Sequence, residues 1–371
     1  MPLFSVVIPA YNNAEYLPGC LDSLKAQSFA DWEAVIVVDA SPDDCQKIAE
    51  FYADDDERFV VLAKTVNGGA HLARRDGVAA ASGDFITFLD ADDEFDPDAL
   101  RLLSTVLPSE ERQIVHFGLK CVGEDVDEGR ARSFEAWANS GSGRLDRDEL
   151  LSAIFQTPPH KGGKDWNVDH RLVSASFAKA AFERMTSERL SRAEDGYEAF
   201  VLASLSTGEV SHDEIAGYLY HIGRGVTSDR ELTSDRFITE TRDLLDCSRA
   251  AEDISASLGD ERVLAAARAF NDRLVESAAN EWFERVPLAE KEKAFSAFVD
   301  LAGREEAATN LMRFARDLSY SALSKGESYS ETSLYAKWKD RAEELMRDCE
   351  EPTHRYLKYR KSAADHIEEI K

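Results

Sequence analysis

Through the first 120 residues the apolar positions fall into short β-branched runs separated by stretches with helical spacing. Phe4–Pro9 (FSVVIP) is long enough for a buried strand and too short for a helix. Leu17, Leu21 and Leu24 then recur at helical intervals within 14–28. Trp32–Val38 (WEAVIVV) is a second buried strand, ending in the turn-forming Asp39-Ala40-Ser41-Pro42-Asp43. A helix over Cys45–Ala53, a strand over Phe59–Ala63, a loop at Asn67-Gly68-Gly69 and a helix over His71–Ala81 continue the alternation. Asp84–Leu89 (DFITFL) is a strand closed by Asp90-Ala91-Asp92-Asp93, followed by a helix over Asp98–Leu107 and a strand over Gln113–Leu119. Strands alternating with helices predict a parallel sheet covered on both faces. Ligands of such sheets bind beyond the carboxyl ends of the strands. The polar groups Tyr11-Asn12, Asp39 and Asp90–Asp93 all fall there.

From about 120 to 230 the pattern is less regular, with a loop at Thr157–Lys164, helices near Ser174–Phe182 and Glu194–Leu205, and a strand over Ile215–Ile222. Beyond 231 Gly and Pro nearly vanish, and Ala, Leu, Glu and Arg repeat at helical spacing, which predicts five or six helices. The expected domains are therefore 1–230, divided into halves 1–110 and 111–230, and a helical domain over 231–371. The 371 residues carry 44 Lys+Arg against 71 Asp+Glu, a net charge of −27. So acidic a chain is a poor nucleic-acid binder, since phosphate neutralisation needs a basic face. Five cysteines without a CxxC pair predict reduced thiols. With neither a signal peptide nor a membrane-length apolar run legible, the expected location is the cytoplasm, including its membrane face.

The acidic cluster carries the first chemistry. Three carboxylates within four residues at a strand end repel one another unless a cation offsets them, and hard oxygen ligands favour Mg²⁺ or Mn²⁺. A solvated acidic loop or the cap of the next helix is the plain alternative. Neither GxGxxG, GxxxxGK[ST] nor GxSxG stands after a strand, which disfavours dinucleotide oxidoreductases, P-loop NTPases and α/β-hydrolases.

The runs VVIPAYNNAEYLPGCLDSLKAQSF, VIVVDASPDD and NGGAHLARRDGVAAASGDFITFLDADDEFDPDAL, in that order, resemble the nucleotide-binding half of a family-2 glycosyltransferase. The resemblance implies a GT-A fold (a Rossmann-like, mostly parallel α/β sheet) followed here by an all-α region that it does not cover. It places the nucleotide-sugar against Pro9, Ala10, Tyr11, Asp39, Arg74, Asp90 and Ala91, with Asp39 accepting from the uracil imide. Asp90 and Asp92 match the DxD pair that holds Mn²⁺ or Mg²⁺. Ala40 replaces a common Gly, and Arg75 stands where the family often has Asn.

Ala193-Glu194-Asp195-Gly196 resembles the family's ED motif at a helix start. Asp195 is then the base that deprotonates an acceptor hydroxyl and Glu194 its support, although a helix dipole lowers the pKa of a carboxylate placed there. The segment Tyr218–Ser228 (YLYHIGRGVTS) is similar to the one that ends the family's catalytic domain. It offers His221 as a third metal ligand, Arg224 as a diphosphate clamp, and Gly223 and Gly225 as hinges; a lone His after a strand also reads as structural. Trp166, in a partial match to a Trp-Asn pair, either stacks on the acceptor sugar or fills the core. Lys161 and Lys164, in the Gly-rich loop before it, read as members of a solvated loop, the alternative being an approach to phosphate. The basic-aromatic His354–Lys361 (HRYLKYRK) offers at most peripheral contact with anionic lipid, or else a solvated last helix.

The expectation is an inverting, metal-dependent transferase that moves sugar from a UDP-sugar to a hydroxyl of a glycan or lipid-linked saccharide in surface polysaccharide biosynthesis. Homo-oligomer contacts through the helical domain are compatible with it. The alternative is a non-catalytic sugar-nucleotide-binding or assembly protein acting through that domain.

Overall fold

A computed structural model describes residues 1–109, 111–123, 128–141, 143–158, 161–224, 232–347 and 349–371, without the side chain at 130. Among the described residues nine strands form one mixed sheet: β1 (Phe4–Ala10), β2 (Trp32–Val38), β3 (Phe59–Ala63), β4 (Phe85–Phe88), β5 (Glu94–Phe95), β6 (Ile114–Val122), β7 (Arg144–Asp146), β8 (Arg171–Ser174) and β9 (Gly208–His221). Their order is β3-β2-β1-β4-β8-β6-β9-β5, with β7 also on β9.

The seven buried residues of β1 explain why its sequence is apolar throughout rather than alternating. Ala34, Ile36 and Val38 of the neighbouring β2 join Phe4, Val6 and Ile8 in one core with helices α1 (Leu17–Lys25) and α2 (Cys45–Asp55). Val35 and Val37 face the other way, against Ala73 of α3 (Gly69–Ala80). A strand covered on both faces needs no polar face. Gly77 of α3 lies where a Cβ would meet the Val7 and Val37 side chains, so only glycine allows this helix its close approach.

β1, β2, β3 and β4 are mutually parallel, with Phe4 beside Trp32 and Phe85. Their carboxyl ends therefore emerge on one edge of the sheet and bring the turns after Ala10, Val38 and Phe88 together. β8 departs from the expected parallel order, entering antiparallel between β4 and β6, and the short β5 and β7 each pair antiparallel with β9. β8 escaped notice because its four residues begin with Arg171, whose charge the structure buries. β9 is also much longer than the expected strand over Ile215–Ile222. Its first half (GEVSHDE) lacks an apolar run because it carries the buried Glu209.

Further helices are α4 (Ala99–Leu103), α5 (Glu128–Ala138), α6 (Arg147–Leu151), α7 (Ala175–Arg184) and α8 (Glu194–Leu205). After β9 the described elements are helical: α9 (Ser234–Leu258), α10 (Glu261–Arg285), α11 (Lys291–Ala302), α12 (Arg304–Ser324), α13 (Leu334–Leu345) and α14 (His354–Ile370). By contacts the chain divides into two compact units, Met1–Ser228 with Asp246–Phe270, and Asp229–Leu245 with Asn271–Lys371. In the first, Phe270 packs among Phe155, Trp166 and Phe200 and takes the space a Cβ at Gly196 would need. In the second, Trp282, Phe283, Phe314 and Trp338 form an aromatic core. There Arg355 pairs with Asp272 at 2.6 Å and Arg360 with Glu343 at 3.0 Å, so part of the basic α14 segment is neutralised within its own unit. No described helix is long and apolar enough to cross a membrane.

Candidate functional site

At the edge where β1, β2 and β4 end, a cleft of about 460 Å³ is lined by Pro9, Tyr11, Asp39, Asn67, Arg74, Asp90, Ala91, Asp92, Asp93, Glu194, Tyr220 and His221, among others. The turns that form it brace one another: Asn12 N–H donates to Ser41 Oγ at 2.7 Å and Ala14 N–H to Asp43 Oδ2 at 2.8 Å. Asn12, Ala40 and Ala193 are the non-glycine residues with left-handed φ among those described (58°, 52° and 55°). One follows β1, one follows Asp39 and one precedes Glu194. Left-handed backbone at such residues costs roughly 1–2 kcal/mol each and concentrates at functional sites.

Asp39 is buried, and its carboxylate already accepts the Gly68 N–H (2.9 Å) and Gly69 N–H (2.7 Å) at the start of α3 and pairs with Lys64 Nζ at 3.1 Å. It ties the cleft floor to α3 and also lines the cleft. Arg74, on the same helix and 3% exposed, pairs with Asp90 at 2.9 Å, Glu198 at 3.3 Å and Asp169 at 3.6 Å. Glu198 also meets His71 Nδ1 at 2.9 Å, and His71 Nε2–H donates to the Thr186 carbonyl at 3.0 Å.

The acidic cluster is under electrostatic strain. Burial, then the neighbouring Asp90, pushes Asp92 up to about 6. Burial pushes Asp93 up to about 8, although the His221 N–H (2.7 Å) and Tyr218 hydroxyl (2.7 Å) that it accepts stabilise its anion. His221 Nε2 lies 3.0 Å from Glu94 Oε1, so this nitrogen carries the ring proton and Nδ1 carries the lone pair. That Nδ1 is buried without a hydrogen-bond partner. Burial, then Arg224, lowers the His221 pKa, which keeps the ring neutral. A neutral imidazole with an unmet lone pair and carboxylates that resist ionising together suit a divalent cation chemically, while among the described residues Asp90, Asp92 and His221 do not bring their three ligand atoms within 4.8 Å of one another.

A second cavity of about 200 Å³ is lined by Asp90, Leu119, Phe134, Asn167, Asp169, His170, Asp195, Tyr218 and Tyr220. Asp90 and Tyr220 form walls of both spaces. Asp195 sits in the first turn of α8 with Gly196 N–H donating to it at 2.7 Å, yet burial, then Glu194, pushes its pKa up to about 7. The expected lowering by the helix dipole is thus outweighed, because the dipole acts on a desolvated carboxylate among other carboxylates. Burial, then Asp90, also raises Asp169, whose Oδ1 has no hydrogen-bond partner.

Three expected residues lie outside the linings of both spaces, and of these Arg224 stays at the acidic cluster. Ala10 is buried and does not line either cleft. Trp166 likewise lies outside both linings, with its ring edge-on to Phe270 at 5.5 Å. Arg224 stacks over Tyr16 at 4.8 Å and donates to the Asp92 carbonyl at 3.3 Å. Gly223 has φ +94°, whereas Gly225 and the rest of that segment lie outside the described residues. Lys164 is not solvated: it is 1% exposed and pairs with Glu209 at 3.1 Å, because β9 presents a buried carboxylate to it. Sequence reasoning missed Asp169, Glu198 and His71. Glu198 left a signal, as the one charged residue within the apolar stretch Tyr197–Leu205.

Residues 5–165 match Glycosyl transferase family 2. The chain is 41% identical over 173 residues to the putative glycosyltransferase EpsH of Bacillus subtilis, covering 46% of this chain and 47% of that protein. It is 44% identical over 104 residues to the amylovoran biosynthesis glycosyltransferase AmsB of Erwinia amylovora, covering 26% and 33%. The chain spans less than half the length of these curated relatives. Among solved structures, S. aureus TarS 1–349 in complex with UDP aligns with a TM-score of 0.57 at 18% identity, over 98% of this chain and 92% of that one. The same protein in complex with UDP-GlcNAc gives 0.57 at 17% identity, over 89% and 93%. The N-terminal part of the chain is a glycosyl transferase family 2 domain of the GT-A type, and an all-helical region follows it.

Proposed function

We propose that the protein is an inverting glycosyltransferase that moves a sugar from a UDP-sugar to a hydroxyl of a glycan or lipid-linked saccharide, in the assembly of a surface polysaccharide. The observation that carries this reading is the shared wall between the two cavities, which sets a carboxylate with a pKa of about 7 next to the space bounded by the acidic strand end. UDP in one TarS structure and UDP-GlcNAc in another support a uridine donor, and the amylovoran biosynthesis transferase supports a polysaccharide product.

In this reading the uridine lies against Pro9 and Tyr11, and Asp39 holds the start of α3 that borders it. Asp90, Asp92 and His221 Nδ1 would hold Mn²⁺ or Mg²⁺, which when bound supplies positive charge to the diphosphate leaving group. Arg74 keeps Asp90 in place through its ion pair. The acceptor oxygen bonds to the anomeric carbon as the bond from that carbon to the phosphate oxygen breaks. The bonding pair leaves with UDP, and the hydroxyl proton goes to Asp195. A base with a pKa near neutrality combines a useful ionised fraction with a strong pull on the proton. The rate therefore rises with pH through about 7.

The test is a thermal-shift titration of the full chain with UDP and UDP-GlcNAc, each with and without Mn²⁺, together with UDP release in the presence of saccharide acceptors. A ligand at about 100 times its Kd stabilises by roughly 2.7 kcal/mol, and Mn²⁺-dependent stabilisation with turnover lost in D195A is the expected result. Absence of any nucleotide effect overturns the donor assignment. Binding with no turnover across the UDP-sugars tried, or UDP release unaltered in D195A, points instead to a non-catalytic binding protein.

A further inference from the structure

Away from the acidic cleft, two histidines and an aspartate converge inside the sheet unit. His116 on β6 places Nε2 3.2 Å from Asp165 Oδ2, and His170, just before β8, places Nε2 2.9 Å from Asp165 Oδ1. All three residues are 0% exposed, and one ligand atom from each lies within 4.8 Å of the others.

The far side of each ring fixes where its proton lies. His170 Nδ1 is 2.8 Å from the Phe117 carbonyl oxygen, which can only accept, so this nitrogen carries a hydrogen. His116 Nδ1 is 3.0 Å from Asp213 Oδ1, and a carboxylate likewise asks it to donate. With those hydrogens in place, both neutral rings turn Nε2 lone pairs toward the Asp165 carboxylate. Lone pairs facing an anion repel, so something positive belongs between them.

A proton is one candidate. Around the cluster three carboxylates (Asp165, Glu209, Asp213) meet two fixed cations (Lys164, Arg171), so a single added proton balances the charge. It relieves one of the two Nε2–carboxylate contacts and leaves the other repulsive. Two protons relieve both contacts but create two imidazolium rings with centroids 4.5 Å apart. A divalent ion relieves both with the same added charge as two protons and joins the rings instead of setting them against each other.

We propose that His116, Asp165 and His170 form a buried site for a divalent transition-metal ion of the zinc type, separate from the acidic cleft and structural in role. Two imidazoles and one carboxylate are a zinc-like donor set rather than a magnesium-like one. Asp165 Oδ1 already accepts the Asn167 N–H at 2.8 Å, which leaves Oδ2 as the ligand oxygen. Ligand atoms about a tetrahedral zinc stand roughly 3.3 Å apart, close to the 3.2 Å between His116 Nε2 and that oxygen. The Phe117 carbonyl and Asp213 supply the outer hydrogen bonds that orient metal-binding histidines. His170 also lines the 200 Å³ cavity, which gives access for a water as fourth ligand. The ion ties the stretch bearing Asn167 and Asp169, both in that cavity's wall, to the central strand β6.

The test uses the full chain, purified without a polyhistidine tag, as wild type, as D92N to weaken the acidic cleft, and as D92N/H116Q/H170Q. After stripping and reloading with Co²⁺ alone, at least about one equivalent should remain in wild type and about one in D92N, with the visible absorption of four-coordinate nitrogen- and oxygen-ligated cobalt. Retention should fall at least about tenfold from D92N to D92N/H116Q/H170Q. The proposal is overturned if wild type and D92N hold no Co²⁺, or if the triple variant holds as much as D92N. Should that variant fail to fold, Co²⁺ absorption in D92N together with a lower Tm after chelation supports the site, and absence of either overturns it. Because D92N is read without nucleotide or sugar, the result is independent of the transferase reading.

Discussion

Replacing Asp195 by Asn separates what this carboxylate does for the reaction from what it costs the fold. Its pKa is 3.8 in an ordinary setting and about 7 here, because burial and then Glu194 disfavour the anion. The folded chain thus holds this proton more tightly than the unfolded chain. Stability contributed by the group is fully present below 3.8 and is lost as pH rises through about 7. At 1.36 kcal/mol per pH unit, the interval corresponds to a ceiling of roughly 4 kcal/mol above about pH 8, and to roughly 1.6 kcal/mol at about pH 5. Asn is nearly isosteric, and its carbonyl oxygen can still accept the Gly196 N–H. D195N should therefore be more stable than wild type, with the advantage growing by about 2–3 kcal/mol between about pH 5 and pH 8.5. Thermal melts in chelator at the two pH values read this as a widening gap of several degrees. In UDP-release assays the same variant should lose roughly 10²–10⁴-fold in turnover, the share that general-base help supplies. Melting curves that shift in parallel with pH would refute the burial argument, and full turnover in D195N would refute the role of base.

Three other outcomes follow from the geometry. H221Q removes the unmet Nδ1 lone pair, so Mn²⁺ titrated in the presence of UDP should bind at least about tenfold more weakly while the melting temperature without metal changes little. R74A leaves Asp90, Glu198 and Asp169 without their shared buried cation and should cost about 3–5 kcal/mol in urea unfolding, with R74K recovering only part. G77A drives a methyl into the Val7 and Val37 side chains and should cost about 1–3 kcal/mol by the same measurement, without altering UDP affinity in any variant that folds.

The legible parts of this protein are those whose environment is uniform along the chain. β2 and β3 stand at the expected residues because an apolar run covered on both faces has one reading, and α8 begins and ends where its pattern does. The later helices follow from composition for the same reason. β8 and the first half of β9 were hidden because Arg171 and Glu209 look solvent-facing until they are seen to neutralise one another at 3.0 Å inside the sheet. Lys164 misleads in the same way.

The sequence by itself determined that carboxylates stand at the ends of particular strands, since strand direction and turn chemistry are local. Which of them share a space was decided by tertiary structure alone. Asp90 and Asp169 are far apart in sequence yet line one cavity, and Glu198 reaches Arg74 from another helix. Tertiary structure also decided the charge states: a helix start favours an ionised Asp195, but burial among other carboxylates reverses it. Desolvation depends on everything packed around a group, and no stretch of neighbouring letters records that.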